Sequence, residues 1–163
     1  MTDKNIKVSY DDFRKGIREL SFNIHNSDYQ PDAILCIARG GLLIGGQLSY
    51  DLDIKMIGSI NIEYYTSHNT TLDAPKILKP SINLNEFKDK NILIADDVLD
   101  TGETMKSLIN LVKPMVKDFK IVSLFKKNKS IIQPDFYWKE VLSSQWIFFP
   151  WSSLPPVSHK VSL

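Results

Sequence analysis

Residues 92–105 read ILIADDVLDTGETM: four apolar residues, then carboxylates at Asp96, Asp97 and Asp100, then a Thr-Gly-Glu-Thr turn. An unbroken apolar run bounded by polar turn residues suits a strand covered on both faces. The apolar spacing of 105–116 predicts a helix soon after the turn. The carboxylates therefore fall where a strand ends and a helix begins. In an open α/β sheet that place is the carboxyl-end crevice, where ligands bind and where N–H groups at a helix start can hold a phosphate.

Upstream, the same strand, turn, helix pattern occurs again. The apolar run 33–38, AILCIA, leads into Arg39-Gly40-Gly41, and 42–52 has helical character. Two glycines after a buried strand let the backbone adopt dihedrals closed to other residues and approach a ligand, while Arg39 brings a fork of donors suited to phosphate. Further strands are expected over 55–65, around Ile77 and Leu78, and over 121–125, the last delivering Lys126, Lys127 and Lys129 to its end. The polar, aperiodic 66–73 stretch predicts a long mobile loop, either a lid over the site or a plain connection. Near the start, Ser9 and Asp12 have capping-box spacing, and Tyr10, Phe13, Ile17, Leu20 and Ile24 follow at helical steps toward Asn26. The end is aromatic, with Phe136, Tyr137, Trp138, Trp146, Phe148, Phe149 and Trp151. This order predicts an α/β fold: a mostly parallel central sheet flanked by helices, with the terminal segments forming a small hood. One domain over 1–163 is expected, its hood supplied mainly by the aromatic C-terminal segment.

Composition narrows the function classes. The chain has 163 residues and 43% hydrophobic content, enough for one well-buried core. Twenty Lys and Arg against 19 Asp and Glu give a formal charge of +1, so no net field favours nucleic acid or an anionic membrane. Anion binding must be local. The single cysteine, Cys36, sits inside an apolar run, as a small buried hydrophobe does. The polar N-terminus and the lack of a spanning apolar run suggest a cytoplasmic protein. His25, His68 and His159 are scattered, without metal-ligand spacing.

The acidic string is the chemical centre. Asp96, Asp97 and Asp100 are suited to metal, hydroxyls or protons. Neighbouring strand residues point to opposite sides, so Asp96 and Asp97 cannot duplicate each other; a pair of sugar hydroxyls plus a magnesium ion would use both. Asp100, past the turn, is free for proton transfer. Thr101, Gly102 and Thr104 offer hydroxyls and N–H groups at a helix start, a phosphate cradle. The bland alternative is a solvated acidic loop with an ordinary helix cap.

ILIADDVLDTGETM resembles the phosphoribosyl-pyrophosphate motif of the type I phosphoribosyltransferases, and Ala38-Arg39-Gly40-Gly41 resembles that family's pyrophosphate loop. LFKKNK, PDFYW and QWIFFPW are similar to the base-binding end of the bacterial 6-oxopurine enzymes that act on xanthine, guanine and hypoxanthine. The resemblance implies the type I fold, magnesium as cofactor, phosphoribosyl pyrophosphate and a purine base as substrates, and a dimer or tetramer. It implies that Arg39, Gly40 and Gly41 receive pyrophosphate, and that Asp96 and Asp97 hold ribose hydroxyls, with the metal on Asp97 or Asp96. Thr101, Gly102, Glu103 and Thr104 would surround the 5′-phosphate, and Asp100 would handle a proton near N7. Trp146 would stack on the base, Ile147 would read its edge through the backbone, and Lys127 or its neighbour Lys126 would contact the 6-oxygen. Ser152 stands where many relatives carry an acid. A sensor of phosphoribosyl pyrophosphate without catalysis, or a transferase for another nucleobase, are the competing expectations.

Overall fold

The computed structural model describes residues 5–65, 71–78, 80–81 and 83–156. The chain opens with a short strand β1 (Ile6–Lys7) and enters α1 (Tyr10–His25). The expected capping box is present: Ser9 Oγ accepts from the Asp12 N–H at 3.0 Å, and the Asp12 carboxylate accepts from the Ser9 N–H at 3.0 Å. Two orphan donors of the first turn are thereby satisfied. The helix stops at Asn26, and its Ile17, Leu20 and Ile24 stripe is buried while Tyr10 is exposed.

Next come β2 (Ala33–Ala38), α2 (Gly40–Asp51), β3 (Ile57–Tyr65), β4 (Thr71–Ile77), β5 (Asn91–Leu99), α3 (Glu103–Val112), β6 (Asp118–Lys127), β7 (Phe136–Val141) and β8 (Ile147–Phe148). Six strands form one sheet in the order β4-β3-β2-β5-β6-β7; β3 through β7 run parallel, and β4 is an antiparallel edge. Pro75 is accommodated there because an edge strand does not need every N–H. β1 and β8 pair in parallel as a separate two-stranded sheet, so both ends of the chain build the hood.

Strand alternation divides the core into two layers. Ile34 and Cys36 of β2 and Leu93 and Ala95 of β5 face α1 and α2. Ala33, Leu35 and Ile37 of β2 and Ile92 and Ile94 of β5 face Met105, Leu108 and Val112 of α3. These central strands are buried on both sides, and each fully buried Leu or Ile contributes roughly 1.5–3 kcal/mol. Tyr29 ties the turn after α1 to this layer, its hydroxyl donating to the Ile92 carbonyl at 2.7 Å. At the other edge, Trp138 Nε1 donates to Glu19 at 3.0 Å and locks α1 to β7.

Several boundaries differ from the sequence expectations. α3 ends at Val112 rather than 116, because Pro114 cannot continue a helix. Residues 71–77 form a strand where part of a loop was expected, held by backbone pairing to β3 that composition does not reveal. Residues 66–70 of that expected loop, with His68, lie outside the described residues, as does His159. His25 occupies the last turn of α1 and is exposed.

α2 packs so closely on the sheet that a Cβ on Gly45 would lie 2.2 Å from Cys36 Sγ and 3.1 Å from Ile34 Cγ2. The same burial pushes the Cys36 thiol up to about 12, leaving it inert at neutral pH. Gly45→Ala should destabilise the protein by about 1–3 kcal/mol, lowering Tm by about 2–4 °C per kcal/mol. Adding Cys36→Ala should recover part of that loss in thermal melts; an unshifted Tm for the single variant would show that the helix is not packed this tightly.

Candidate functional site

β3 continues from β2 toward one edge of the sheet, while β6 and β7 continue from β5 toward the other. The strand order therefore reverses between β2 and β5, and the crevice at their carboxyl ends is the expected ligand position. Both motifs converge on it: Arg39 follows β2, and Asp96, Asp97 and Asp100 lie at the end of β5.

Gly40 and Gly41 are needed here, but for a different reason from the one expected. Neither has a positive φ; both lie in the first turn of α2. What matters is the missing side chain. A Cβ on Gly40 would sit 1.9 Å from Asp97 Oδ2, and one on Gly41 would sit 2.3 Å from the Ala95 carbonyl oxygen. Gly102 is the position where the backbone itself demands glycine, with φ of 89° at the cap of α3. A Cβ there would also press on Ser130, Ile131 and Ile132, whose segment braces the turn through an Ile131 N–H bond to the Thr101 carbonyl at 2.9 Å.

Three clefts meet around the strand end. A small one of about 80 Å³ is walled by Asp96, Asp100, Thr101, Gly102 and Thr104. A second, of about 200 Å³, is walled by Val98, Asp100, Lys127, Trp146, Ile147, Phe149 and Ser152. The third, about 770 Å³ and open, brings Arg39, Gly40 and Asp97 against Trp151, Ser152 and Leu154 of the C-terminal segment. Asp100 is shared by the first two, and Ser152 and Phe149 by the second and third. Asp96 and Asp97 face different clefts, as strand alternation requires. Glu103 is exposed and forms no wall of the smallest cleft; its place in the first turn of α3 suits the helix dipole.

The two lysines have different surroundings. Lys126 Nζ pairs with Glu140 at 2.7 Å and lies 5.3 Å from the Tyr137 ring centre, away from the clefts. Lys127 lines the 200 Å³ cleft, its ammonium donating to the carbonyls of Gln145 and, at 3.4 Å, Ser143. Trp146 stands 65% exposed at the cleft mouth, while Ile147 is buried. Because β8 pairs in parallel with β1 in the register Ile6 to Ile147, the N–H and C=O of Ile147 point to the opposite edge of β8. Trp151 is held by packing, stacked on Phe149 at 4.7 Å and meeting Phe13 edge-on at 5.3 Å. Phe149 was expected only as part of the aromatic tail and Ser152 only as a departure from the family's acid; the folding back of the tail makes both shared walls of the second and third clefts.

The two adjacent carboxyls are electrostatically uncomfortable. Burial raises the Asp96 carboxyl well above the usual range, and the charge of Asp97 adds to the rise. Burial also raises Asp97. The Asp97 N–H donates to Asp96 Oδ1 at 2.9 Å, which offsets part of the cost. Among the described residues no group of three or more His, Cys, Asp or Glu could hold a metal ion. Either carboxylate nonetheless suits a divalent cation whose other ligands would come from water and a bound substrate. No helix among the described residues is long and apolar enough to cross a membrane.

Fold and clefts together define an α/β protein whose three clefts converge at the switch point of a parallel sheet. The phosphoribosyl transferase domain model matches residues 9–154, and the chain belongs to that family, with the type I fold. It is similar to the solved purine phosphoribosyltransferase from Pyrococcus horikoshii Ot3, at 30% identity over 95% of this chain and 97% of that one, with a TM-score of 0.79. The Helicobacter pylori xanthine-guanine-hypoxanthine phosphoribosyltransferase is 27% identical over 91% and 94% of the two chains, with a TM-score of 0.75. A hypothetical protein from Neisseria gonorrhoeae with bound ppGpp is 25% identical over 98% and 95%, with a TM-score of 0.77.

The raised carboxyls give a pH signature. A folded state that holds its proton to higher pH than the unfolded chain loses stability as pH rises from the ordinary carboxylate value of 3.8 through the raised one. Asp96→Asn keeps the acceptor for the Asp97 N–H and removes the charge. In chelator-treated, ligand-free protein it should raise Tm at neutral pH by about 2–4 °C, on the order of 1 kcal/mol, with the gain vanishing below about pH 4. A variant equally or less stable at neutral pH would mean that the carboxylate is not penalised where it sits.

Proposed function

We propose that this phosphoribosyltransferase moves the phosphoribosyl group of phosphoribosyl pyrophosphate onto a 6-oxopurine, guanine, xanthine or hypoxanthine, releasing pyrophosphate and a nucleoside monophosphate. The observation that carries this reading is the 200 Å³ cleft, in which Asp100, Lys127, Trp146 and Ile147 share one wall system. Its similarity to purine enzymes over most of its length supports the substrate class.

In this reading each cleft takes one part of the donor or acceptor. The Thr101 to Thr104 turn receives the 5′-phosphate on N–H groups and hydroxyls, where the helix dipole favours an anion. Glu103 contributes its backbone N–H there, with its side chain on the exposed side of the turn. Arg39, with the Gly40 and Gly41 backbone, takes the pyrophosphate in the open cleft. Asp96 and Asp97 bind the ribose hydroxyls, each on its own side of the strand, and one of them, Asp97 or Asp96, would hold a magnesium ion together with the donor. That ion, when bound, supplies neutralisation of the pyrophosphate as it departs.

The purine lies on Trp146, with its edge on the Ile147 backbone. Lys127 has three N–H donors, two of them directed at Ser143 and Gln145, and the third serves the 6-oxygen. A ring nitrogen of the base forms the new bond to C1 of ribose as the C1 to pyrophosphate oxygen bond breaks. Asp100, placed between the phosphate and base clefts, accepts the proton that the base gives up.

A second reading is favoured by the gonococcal relative with bound ppGpp. A guanine nucleotide bearing diphosphates presents a purine for the Trp146 cleft and anions for Arg39 and the Thr101 turn. It would then act as a competitor of the donor rather than as a substrate, and competition would appear as a raised KM for phosphoribosyl pyrophosphate.

Protein mixed with magnesium, phosphoribosyl pyrophosphate and each 6-oxopurine should release pyrophosphate with at least one base. Adenine and uracil serve as contrasts; turnover of neither kind of base would end the catalytic reading, and turnover of uracil alone would redirect it. Asp100→Asn should lower kcat by about 100-fold or more, the usual worth of a positioned acid or base, with donor affinity nearly unchanged. An unaltered kcat would remove Asp100 from the proton transfer.

A further inference from the structure

Trp146, on the wall of the proposed base cleft, is largely exposed, so core packing does not fix where its ring stands. Its main chain is held instead, at both polar groups, by the other end of the protein. The Trp146 N–H donates to Asn5 Oδ1 at 3.3 Å, and its carbonyl accepts from the Ile6 N–H at 2.8 Å. One residue pair further on, the Phe148 carbonyl accepts from the Val8 N–H at 2.9 Å. These bonds bracket Ile147, whose own N–H and C=O are turned to the opposite edge of β8.

The clamp is itself anchored. Val8 is buried in the core layer of α1 and α2, and Ser9 caps α1, so the backbone of residues 5–8 cannot drift independently of the sheet. From the other side, the Lys127 ammonium grips the Gln145 carbonyl, immediately before Trp146. The base-contacting segment is thus stretched between a lysine at the end of β6 and a strand from the N-terminus.

The geometry points to a positioning role for the N-terminal strand: Asn5, with the Ile6 N–H, sets the placement of Trp146 and Ile147 and thereby the affinity for the base. This rests on the reading of the 200 Å³ cleft as the purine site. Asn5 touches neither substrate in that reading; it acts through Trp146. Because Asn5 is exposed, replacing it opens no cavity and leaves the core intact.

Asn5→Leu removes the acceptor and should raise KM for the purine about three- to tenfold, the equivalent of one lost hydrogen bond. The kcat and the KM for phosphoribosyl pyrophosphate should stay within about twofold, because their residues are untouched. Asn5→Asp, which retains an acceptor oxygen, should restore the base KM. Amide hydrogen exchange at Trp146 should quicken in the leucine variant alone. Faster exchange with an unchanged base KM would overturn the positioning role, as would parallel losses in kcat and both KM values. Failure of the wild-type chain to turn over any purine is a separate result, seen before any variant is compared, and it would overturn the reading of the cleft and this role together.

Discussion

The site depends on how closely the first turn of α2 approaches the end of β5. The Asp97 carboxylate occupies the volume that a side chain on Gly40 would fill, and the Ala95 carbonyl occupies most of that available to one on Gly41. This contact joins the two motifs, which are more than 50 residues apart in sequence. It brings Arg39 and Asp97 into one cleft, where a cationic fork and a carboxylate can serve the two ends of the same ligand. Gly45, one turn further along α2, extends the approach by nesting against Cys36. The helix lies flush on the sheet because three small residues allow it.

Much of the fold follows from periodicity in the sequence. Unbroken apolar runs mark β2, β5 and β6 because each is covered on both faces, and the capping box at Ser9 marks the start of α1 because its hydrogen bonds are local. What the sequence left open depends on distant partners. β4 exists because it pairs with β3, despite Pro75 and a polar lead-in. β6 extends to Asp118 and Lys127, beyond its apolar centre, because both of its neighbours continue to supply ladder partners. Gly40 and Gly41 were recognisable as special, but their reason is steric contact across the fold rather than local dihedral freedom.

The candidate site divides the same way. Asp96, Asp97, Asp100 and the Thr101 to Thr104 turn are contiguous, so their chemistry could be read from one segment. The 200 Å³ cleft proposed for the base is assembled from β5, β6 and the C-terminal segment, and its residues were identifiable through likeness to a family. Lys126 and Lys127 are equivalent in sequence; Glu140 separates them by pairing with one. Asn5 carries no signal in the sequence, since a polar residue before a two-residue strand looks like any other surface position.

Stability and ligand binding are opposed at the strand end. Asp96 and Asp97 are adjacent and half-buried, and desolvation raises both carboxyl groups, with the charge of Asp97 adding to the rise at Asp96. A well-packed protein without a ligand to bind would have no use for such a pair, since an amide could supply the acceptor for the Asp97 N–H at lower electrostatic cost. Under the proposed function, a cation and sugar hydroxyls would offset that cost and fill the acceptor sites together. Such binding would stabilise the fold by mass action, and part of its affinity would be the release of the electrostatic cost of the free site. The hood acts in the opposite sense: its hydrogen bonds hold the Trp146 backbone in the ligand-free protein, so a base stacking there as proposed would meet a wall already ordered. One half of the site is held tense by its own charge and the other is held ready by its backbone, and Asp100 stands between them, on the walls of both clefts.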